Sequence, residues 1–238
     1  MTDPLLIHVP ERIVSERLVI RCAQPGDGAV LNAAVCDSLD ALRPYEPWAG
    51  AVPTLADSEA VCRKAQARFR LREDMMMLIF ERAAPDGEGE LLGATGLHRP
   101  DWKARRFEIG YWRRTGHEGR GIATEAVHTM TRLAFDELRA QRVELRIDNL
   151  NRPSWRVAER CGFTLEGVMR SESLAPDGTL RHMRVYSKVR GAEEPLLQDD
   201  VLQANTAAPG ENRSTASVMM PSTPSATSRC ASAGSFTV

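Results

Sequence analysis

Gly116-His117-Glu118-Gly119-Arg120-Gly121-Ile122-Ala123-Thr124-Glu125-Ala126 lies between a stretch of strand character and a stretch of helix character. Upstream, Arg105 to Arg113 (RRFEIGYWR) alternates, with Phe107, Ile109 and Tyr111 on one face and Glu108, Gly110 and Trp112 on the other. Downstream, Val127, Met130, Leu133, Ala134 and Leu138 recur at helical spacing, which predicts a helix over 122–138. A turn between such elements presents free backbone N–H groups and the positive end of a helix dipole to an anion. Gly119 and Gly121 let the backbone approach a phosphate, Arg120 adds a cation and Thr124 a hydroxyl donor. No Lys-Ser/Thr pair follows and the third glycine of a dinucleotide fingerprint is missing, which disfavours ATP, GTP and NAD. The pyrophosphate of another cofactor stays open, as does a plain helix-entry turn.

Outward from this turn, Ser15 to Cys22 alternates as a first strand and a helical pattern opens at Pro25-Gly26-Asp27 and runs to about Leu39. The segment RPYEPWAGAVP reads as an ordered loop. Thr54 with Asp57 reads as a capping box starting a helix to about Arg72. Met75 to Arg82 and Glu90 to His98 form a hairpin about a Pro-Asp-Gly turn, with the methionines at 75–77 in the strand core. Arg142 to Ile147 is a fifth strand, Asn151 to Cys161 a short helix stopped by Gly162, and Phe163 to Arg190 a final hairpin turning at Pro176-Asp177-Gly178. This order suits a mixed α/β sheet with hairpins and not a regular doubly wound one.

A second segment, Asn151-Arg152-Pro153-Ser154-Trp155-Arg156-Val157-Ala158-Glu159-Arg160-Cys161-Gly162-Phe163, follows the fifth strand directly. Together the two segments resemble the acetyl-CoA site of the GNAT superfamily of N-acetyltransferases. The first is similar to its Q/R-x-x-G-x-G/A pyrophosphate loop, here Glu118 to Ala123. The second is similar to the N-x-x-S…E-x-x-G-F stretch of the RimJ/RimL branch, the ribosomal-protein-serine/alanine acetyltransferase-like enzymes. EIGYW, ATEA, LEGVMR, LRPYEPW and GLHRPDW resemble the same branch, and the likeness covers about residues 12–190. Two positions depart from the wider superfamily: Glu118 stands where Gln or Arg is usual, with its side chain expected to point outward, and Ala158 stands where many members carry a tyrosine acid.

The resemblance implies a GNAT fold, a mixed and mostly antiparallel central sheet flanked by helices and splayed between the fourth and fifth strands. It implies transfer of acetyl from acetyl-CoA to a primary amine by direct attack in a ternary complex, without a metal. The acceptor it implies first is a protein N-terminal α-amine, with a small-molecule amine (polyamine, antibiotic or amino acid) or a non-catalytic acyl-CoA-binding module as alternatives. Backbone of Tyr111, Trp112 and Arg113, the loop residues Gly119, Arg120, Gly121, Ile122, Ala123 and Thr124, and Asn151 with Ser154 are the expected cofactor contacts. Asn151 also reads as a plain helix N-cap. Ser154 takes the place of the missing tyrosine as proton donor to the leaving thiol, and a first-turn serine without a task is the rival reading. Glu108 is the expected base, directly or through water, with Glu166, Glu172 and His98 as lesser candidates and a salt-bridged strand glutamate as the rival. Tyr45, Trp48 and Trp102, with His98, are expected to flank the acceptor entrance; loop packing explains such aromatics equally well.

The composition bounds these readings. With 238 residues, 42% hydrophobic and 26% charged, the chain is globular. A formal charge of −1 argues against a protein that coats nucleic acid. No apolar run approaches a membrane span and the N-terminus lacks a signal-peptide pattern. Cysteines at 22, 36, 62, 161 and 230 are scattered and odd in number, which predicts buried thiols in a reducing cytoplasm and no zinc site. Beyond Arg190 the sequence turns to Ala, Ser, Thr, Pro and Gly, predicting a domain over 10–190 and a disordered low-complexity tail over 191–238. Two of the 31 cations and five of the 32 acids lie in that tail, so residues 1–190 hold 29 cations against 27 acids and carry +2. Either a monomer or a homodimer is compatible with the sequence.

Overall fold

The computed structural model describes residues 3–85 and 87–191. The expected tail, apart from Gly191, and Asp86 of the first hairpin turn lie outside the described residues. Period-two alternation within them becomes β1 (Arg12–Val14), β2 (Leu18–Cys22), β3 (Met75–Ala83), β4 (Gly87–Asp101), β5 (Arg106–Arg113), β6 (Arg142–Asp148), β7 (Thr164–Leu174) and β8 (Leu180–Val189). They make one sheet in the order β1-β2-β3-β4-β5-β6-β8-β7, with β5 and β6 parallel and every other neighbouring pair antiparallel. The helices are α1 (Gly28–Leu42), α2 (Leu55–Arg70), α3 (Ile122–Arg132) and α4 (Arg152–Arg160). Strand β1 was not legible in advance: three residues are too few to show a period.

Local chemistry starts and stops these elements. Thr54 Oγ1 accepts from the Asp57 N–H at 3.1 Å while Asp57 Oδ2 accepts from the Thr54 N–H at 3.0 Å, closing the capping box of α2. The helix expected over 122–138 is regular only to Arg132 and then widens into a π-helical turn, Leu133–Glu137. Its last apolar positions, Leu133, Ala134 and Leu138, are nonetheless buried as their spacing demands. At the last hairpin, Asp177 Oδ1 accepts from the Thr179 N–H at 2.9 Å and Gly178 supplies the left-handed turn residue (φ +84°).

The sheet is covered on both faces. Phe107, Ile109 and Tyr111 of β5 join a cluster with Val127 and Met130 of α3 and Val157 and Ala158 of α4. Trp112, one step out of phase, joins another with Leu31 and Val35 of α1, Cys62 and Ala65 of α2, and Leu78 of β3. Each fully buried large side chain contributes about 1.5–3 kcal/mol. The methionine run divides the same way, Met75 and Met77 to the first cluster and Met76 to the second.

Strands β5 and β6 pair only at Arg106/Arg142, Phe107/Val143 and Glu108/Glu144. Beyond that point β5 follows β4 to Arg113, and β6 follows β8 to Asp148. This is the splay expected between the fourth and fifth predicted strands. On the far side of β5, Gly93 of β4 sits opposite Arg113 with φ +150°, and a Cβ there would stand 2.1 Å from the Trp112 carbonyl oxygen. Gly93→Ala should therefore cost more than about 3 kcal/mol, read as a fall in the denaturation midpoint. A loss below about 1 kcal/mol would show that this strand pair can shift.

Candidate active site

The glycine-rich turn is pinned from outside. Gly119 and Gly121 have φ of +71° and +74°, and Gly121 caps α3 in the left-handed region that favours glycine. Arg17 Nη1 donates to the Arg120 carbonyl at 2.7 Å, and Glu125 in the first turn of α3 accepts from Ser15 Oγ at 2.7 Å and the Arg17 N–H at 2.8 Å. The Arg120 guanidinium meets Glu81 at 2.7 Å and His117 Nδ1 at 2.9 Å. Glu118 is exposed, as expected of an outward side chain, yet it does engage the turn: it accepts from the Gly116 N–H at 2.9 Å and from Arg113 Nη1 at 2.6 Å. The Arg113 guanidinium holds the Glu118 carboxyl below the usual range. Ile122 is buried, Ala123 packs on the first cluster, and the Thr124 carbonyl accepts from Cys161 Sγ at 3.6 Å, tying α3 to α4.

The second segment folds against the first. Asn151 Oδ1 accepts from the Ser154 N–H at 3.2 Å, the N-cap of α4. Ser154 is buried, and its Oγ lies 2.8 Å from the Tyr111 hydroxyl, which also donates to the Ser154 carbonyl at 3.0 Å. Tyr111 was expected to act through its backbone alone. Its phenol instead reaches across the splay, linking β5 to α4, and burial pushes its pKa well up, so it holds its proton at neutral pH. Ala158, where a superfamily tyrosine would stand, is wholly buried in the first cluster.

On the other face lies a cleft lined by Trp48, Met76, His98, Gly110, Tyr111 and Trp112. Gly110, which lines it, pairs directly with Gly96 of β4. A Cβ on Gly96 would stand 2.8 Å from two ring atoms of His98, Cε1 and Nε2. His98 and Glu108 are cross-strand partners, both buried. Desolvation raises the Glu108 pKa, opposed by Arg99, whose Nη1 donates to Oε2 at 2.9 Å. Glu166 is paired with Arg142, and Glu172 with Arg146, both away from this cleft on β7.

Trp48 packs near Trp112 with ring centroids 6.2 Å apart, but Trp102 does not join them. Its indole N–H donates to the Arg72 carbonyl at 2.9 Å and its ring meets Phe107 edge-on, so it belongs to the first cluster, a correction to the expected aromatic entrance. Tyr45 lines a separate groove with Asp148 and Arg181, its carbonyl accepting from Arg181 Nη1 at 2.8 Å. Cys22, Cys62 and Cys161 are buried, with burial pushing the thiols up to about 11, 12 and 11, whereas Cys36 is exposed against expectation.

Two buried acids carry no local signal in the sequence. Asp74 Oδ2 lies 2.9 Å from His98 Nδ1, and Glu46 Oε2 accepts from the Trp48 indole N–H at 2.6 Å. Burial pushes the Glu46 carboxyl up to about 8. A carboxyl raised on folding contributes stability below its unfolded pKa, lost as pH rises through the folded one. Wild-type stability should thus fall between about pH 4.5 and pH 8, by an amount on the order of a few kcal/mol. Glu46→Gln should flatten that slope in a series of thermal melts across pH; an unchanged slope would clear Glu46 of it.

The chain matches the family description "Acetyltransferase (GNAT) domain" over residues 17–164. It is 29% identical over 170 residues to the ribosomal-protein-serine acetyltransferase of Escherichia coli (strain K12), covering 69% of this chain and 88% of that one. It is 33% identical over 101 residues to the N-acetyltransferase p20 of Bacillus licheniformis, covering 42% of this chain. Here, as with YdaF of Bacillus subtilis, the match spans only 56% of the relative's length. Two solved structures share the fold. Microcin C7 self immunity acetyltransferase MccE, in complex with acetyl-CoA and AMP, has TM-score 0.69 and 21% identity over 76% of this chain and 97% of that one. RimL, a ribosomal L7/L12 alpha-N-protein acetyltransferase in complex with coenzyme A, has TM-score 0.67 and 22% identity over 74% and 96%. With that match over more than half its length, and a sheet splayed beside a glycine-rich helix entry, the chain belongs to the GNAT acetyltransferase family.

Proposed function

We propose that the protein is a cytoplasmic, acetyl-CoA-dependent N-acetyltransferase acting on a primary amine, first the α-amine of a protein N-terminus. The observation that carries this reading is a convergence. The splay of β5 from β6, the left-handed glycine turn opening α3 and the Tyr111–Ser154 bond all meet at one end of the sheet. The family supports the reaction class, and the ribosomal-protein-serine acetyltransferase relative supports the acceptor class.

The residues fit the co-substrate. A Cβ on Gly119 would meet nothing within 4 Å, so the turn is open on that side, and the start of α3 offers its dipole to a pyrophosphate. Arg113 and Arg120, though paired in this state with Glu118 and Glu81, supply cations beside it. Backbone of Tyr111, Trp112 and Arg113 lies in the stretch of β5 that β6 leaves unpaired, where amides can be matched by another chain of amides. Asn151 has its side-chain amide N–H groups to offer in addition to its capping oxygen.

Bound acetyl-CoA supplies an acetyl thioester; the chain supplies positions and protons. Ser154 Oγ holds a proton at the mouth of the splay, and the Tyr111 phenol stands 2.8 Å behind it to restore one. On the acceptor face, His98 lines a cleft walled by Trp48 and Trp112 and Glu108 is its cross-strand partner, which makes these two the candidates to take the proton of an ammonium. Among the described residues no helix is long and apolar enough to cross a membrane.

Gly121→Glu should abolish the thermal stabilisation given by acetyl-CoA, since the side chain is strained at φ +74° and brings a negative charge to the phosphate site. Retained stabilisation would remove the turn from the site. Ser154→Ala should lower kcat by about 10²-fold with little change in acetyl-CoA affinity, and unchanged turnover would refute the proton-donor role. The acceptor is identified by comparing N-terminal acetylation in cells with and without the gene, alongside thiol release from acetyl-CoA on a panel of peptides and small amines. Turnover confined to small amines would move the acceptor class. Acetyl-CoA binding without thiol release on any acceptor would make the protein a binding module.

A further inference from the structure

We propose that Asp74 and His98 form the proton-accepting pair of the acceptor cleft, with His98 Nε2 as the base and Asp74 as the positioning residue; this rests on the acetyltransferase reading above. The two residues are 24 apart in sequence, Asp74 in the turn between α2 and β3 and His98 on β4. Both are buried, at 6% and 4% exposure, and Asp74 Oδ2 lies 2.9 Å from His98 Nδ1. Arg68 Nη2 stands 3.8 Å from the same oxygen. A carboxylate acceptor at Nδ1 fixes the neutral ring with its proton on that nitrogen, which leaves the Nε2 lone pair free to accept.

Where that lone pair stands decides the matter. Nε2 and Cε1 lie over Gly96, where a single added Cβ would collide with both at 2.8 Å, and Gly96 pairs across the strands with Gly110 of the cleft wall. The ring lines the cleft beside Gly110 and Tyr111, and Tyr111 carries the hydroxyl bonded to Ser154. An amine in the cleft would thus have a base on one side and the Ser154 proton donor beyond the splay. The ammonium N–H bond breaks with its electron pair left on nitrogen, and the proton forms a bond to Nε2. The resulting imidazolium is balanced by Asp74, and it returns its proton to solvent after product leaves.

The charged groups facing this ring favour it over Glu108. Asp74 and Arg68 approach from the α2 side, and Glu108 from β5, itself held by Arg99 and under the field of Arg146 and Glu144 on β6. Protonating Glu108 would uncouple the Arg99 pair at 2.9 Å. Protonating His98 places a cation between two acids instead.

Two measurements on the full chain test this. Nitrogen-15 histidine NMR of the protein without substrate, with His98 assigned by its loss in His98→Gln, should show the Nδ1-protonated neutral tautomer, and Asp74→Asn should shift it toward the Nε2-protonated form. An Nε2-protonated ring in the wild type overturns the proposal whatever the enzyme does. In turnover with an N-terminal serine peptide or the best amine of the panel, His98→Gln should lower kcat/KM for the amine by about 10²-fold or more and remove the acidic limb of its pH profile. Asp74→Asn should move that limb and lower kcat by about tenfold or more, with acetyl-CoA stabilisation retained by both variants. An arylamine, neutral at pH 7, should recover much of the loss in His98→Gln. A His98→Gln enzyme within about threefold of wild type, with the same pH profile, overturns the proposal. Absence of wild-type turnover on every amine, with the tautomer as expected, overturns the acetyltransferase reading and the catalytic role together.

Discussion

A β-strand must match its backbone N–H and C=O groups to something, and β5 stops matching them to β6 after three residue pairs. Everything chemical in this protein is arranged around that parting. The remaining length of β5 is held by β4 on one side, where Gly93 to Gly96 lie against Gly110 to Arg113 with little room to spare. The remaining length of β6 is held by β8. The opening is therefore kept by its outer neighbours and needs no strain of its own, while α3 and α4 bring the glycine turn and Ser154 to its edge.

Polar groups near the opening are matched with care. Arginine supplies most of the matching: Arg17 fixes the glycine turn and the first turn of α3, Arg99 fixes Glu108, and Arg142 fixes Glu144 on its own strand and Glu166 on β7. Planar guanidinium groups suit this task because each can hold several oxygens at once. Away from them, Glu46 is kept by an indole N–H and Asp74 by an imidazole, both in places poor in water. For Glu46, burial raises the carboxyl to about 8, so its charge changes near neutral pH.

What could be read in advance was what depends on near neighbours in sequence. The capping box Thr54/Asp57, the turn at Asp177-Gly178 and the alternation that sends Phe107 and Trp112 to opposite faces are local, and each stands as expected. The splay came through the family resemblance, since no local pattern marks where two strands part. The rest depended on distance. Tyr111 and Ser154 are 43 residues apart, so a phenol that completes the serine's bonding reads in sequence as ordinary strand core. Asp74 and His98 are linked only after β3 and β4 pair. Trp102 was grouped with Trp48 because both sit in aromatic loops; which cluster each joined was settled by Phe107 and Trp112, one strand position out of phase with one another. The widened turn at Leu133–Glu137 keeps the helical burial pattern and so leaves no mark in the spacing.

Gly110 lines the proposed acceptor cleft without a side chain, and its cross-strand partner Gly96 lies under the His98 ring. At Gly110 the wall is backbone, so no rotamer alters its shape there. The glycine pair also places selectivity a very short mutational distance from change. One methyl at Gly96 would press on both the His98 ring and the Met75 carbonyl, each at 2.8 Å, displacing the proposed base and reshaping the pocket in a single step. Such a change would reshape this cleft without touching the glycine turn at the start of α3, so the two sides of the sheet can vary independently.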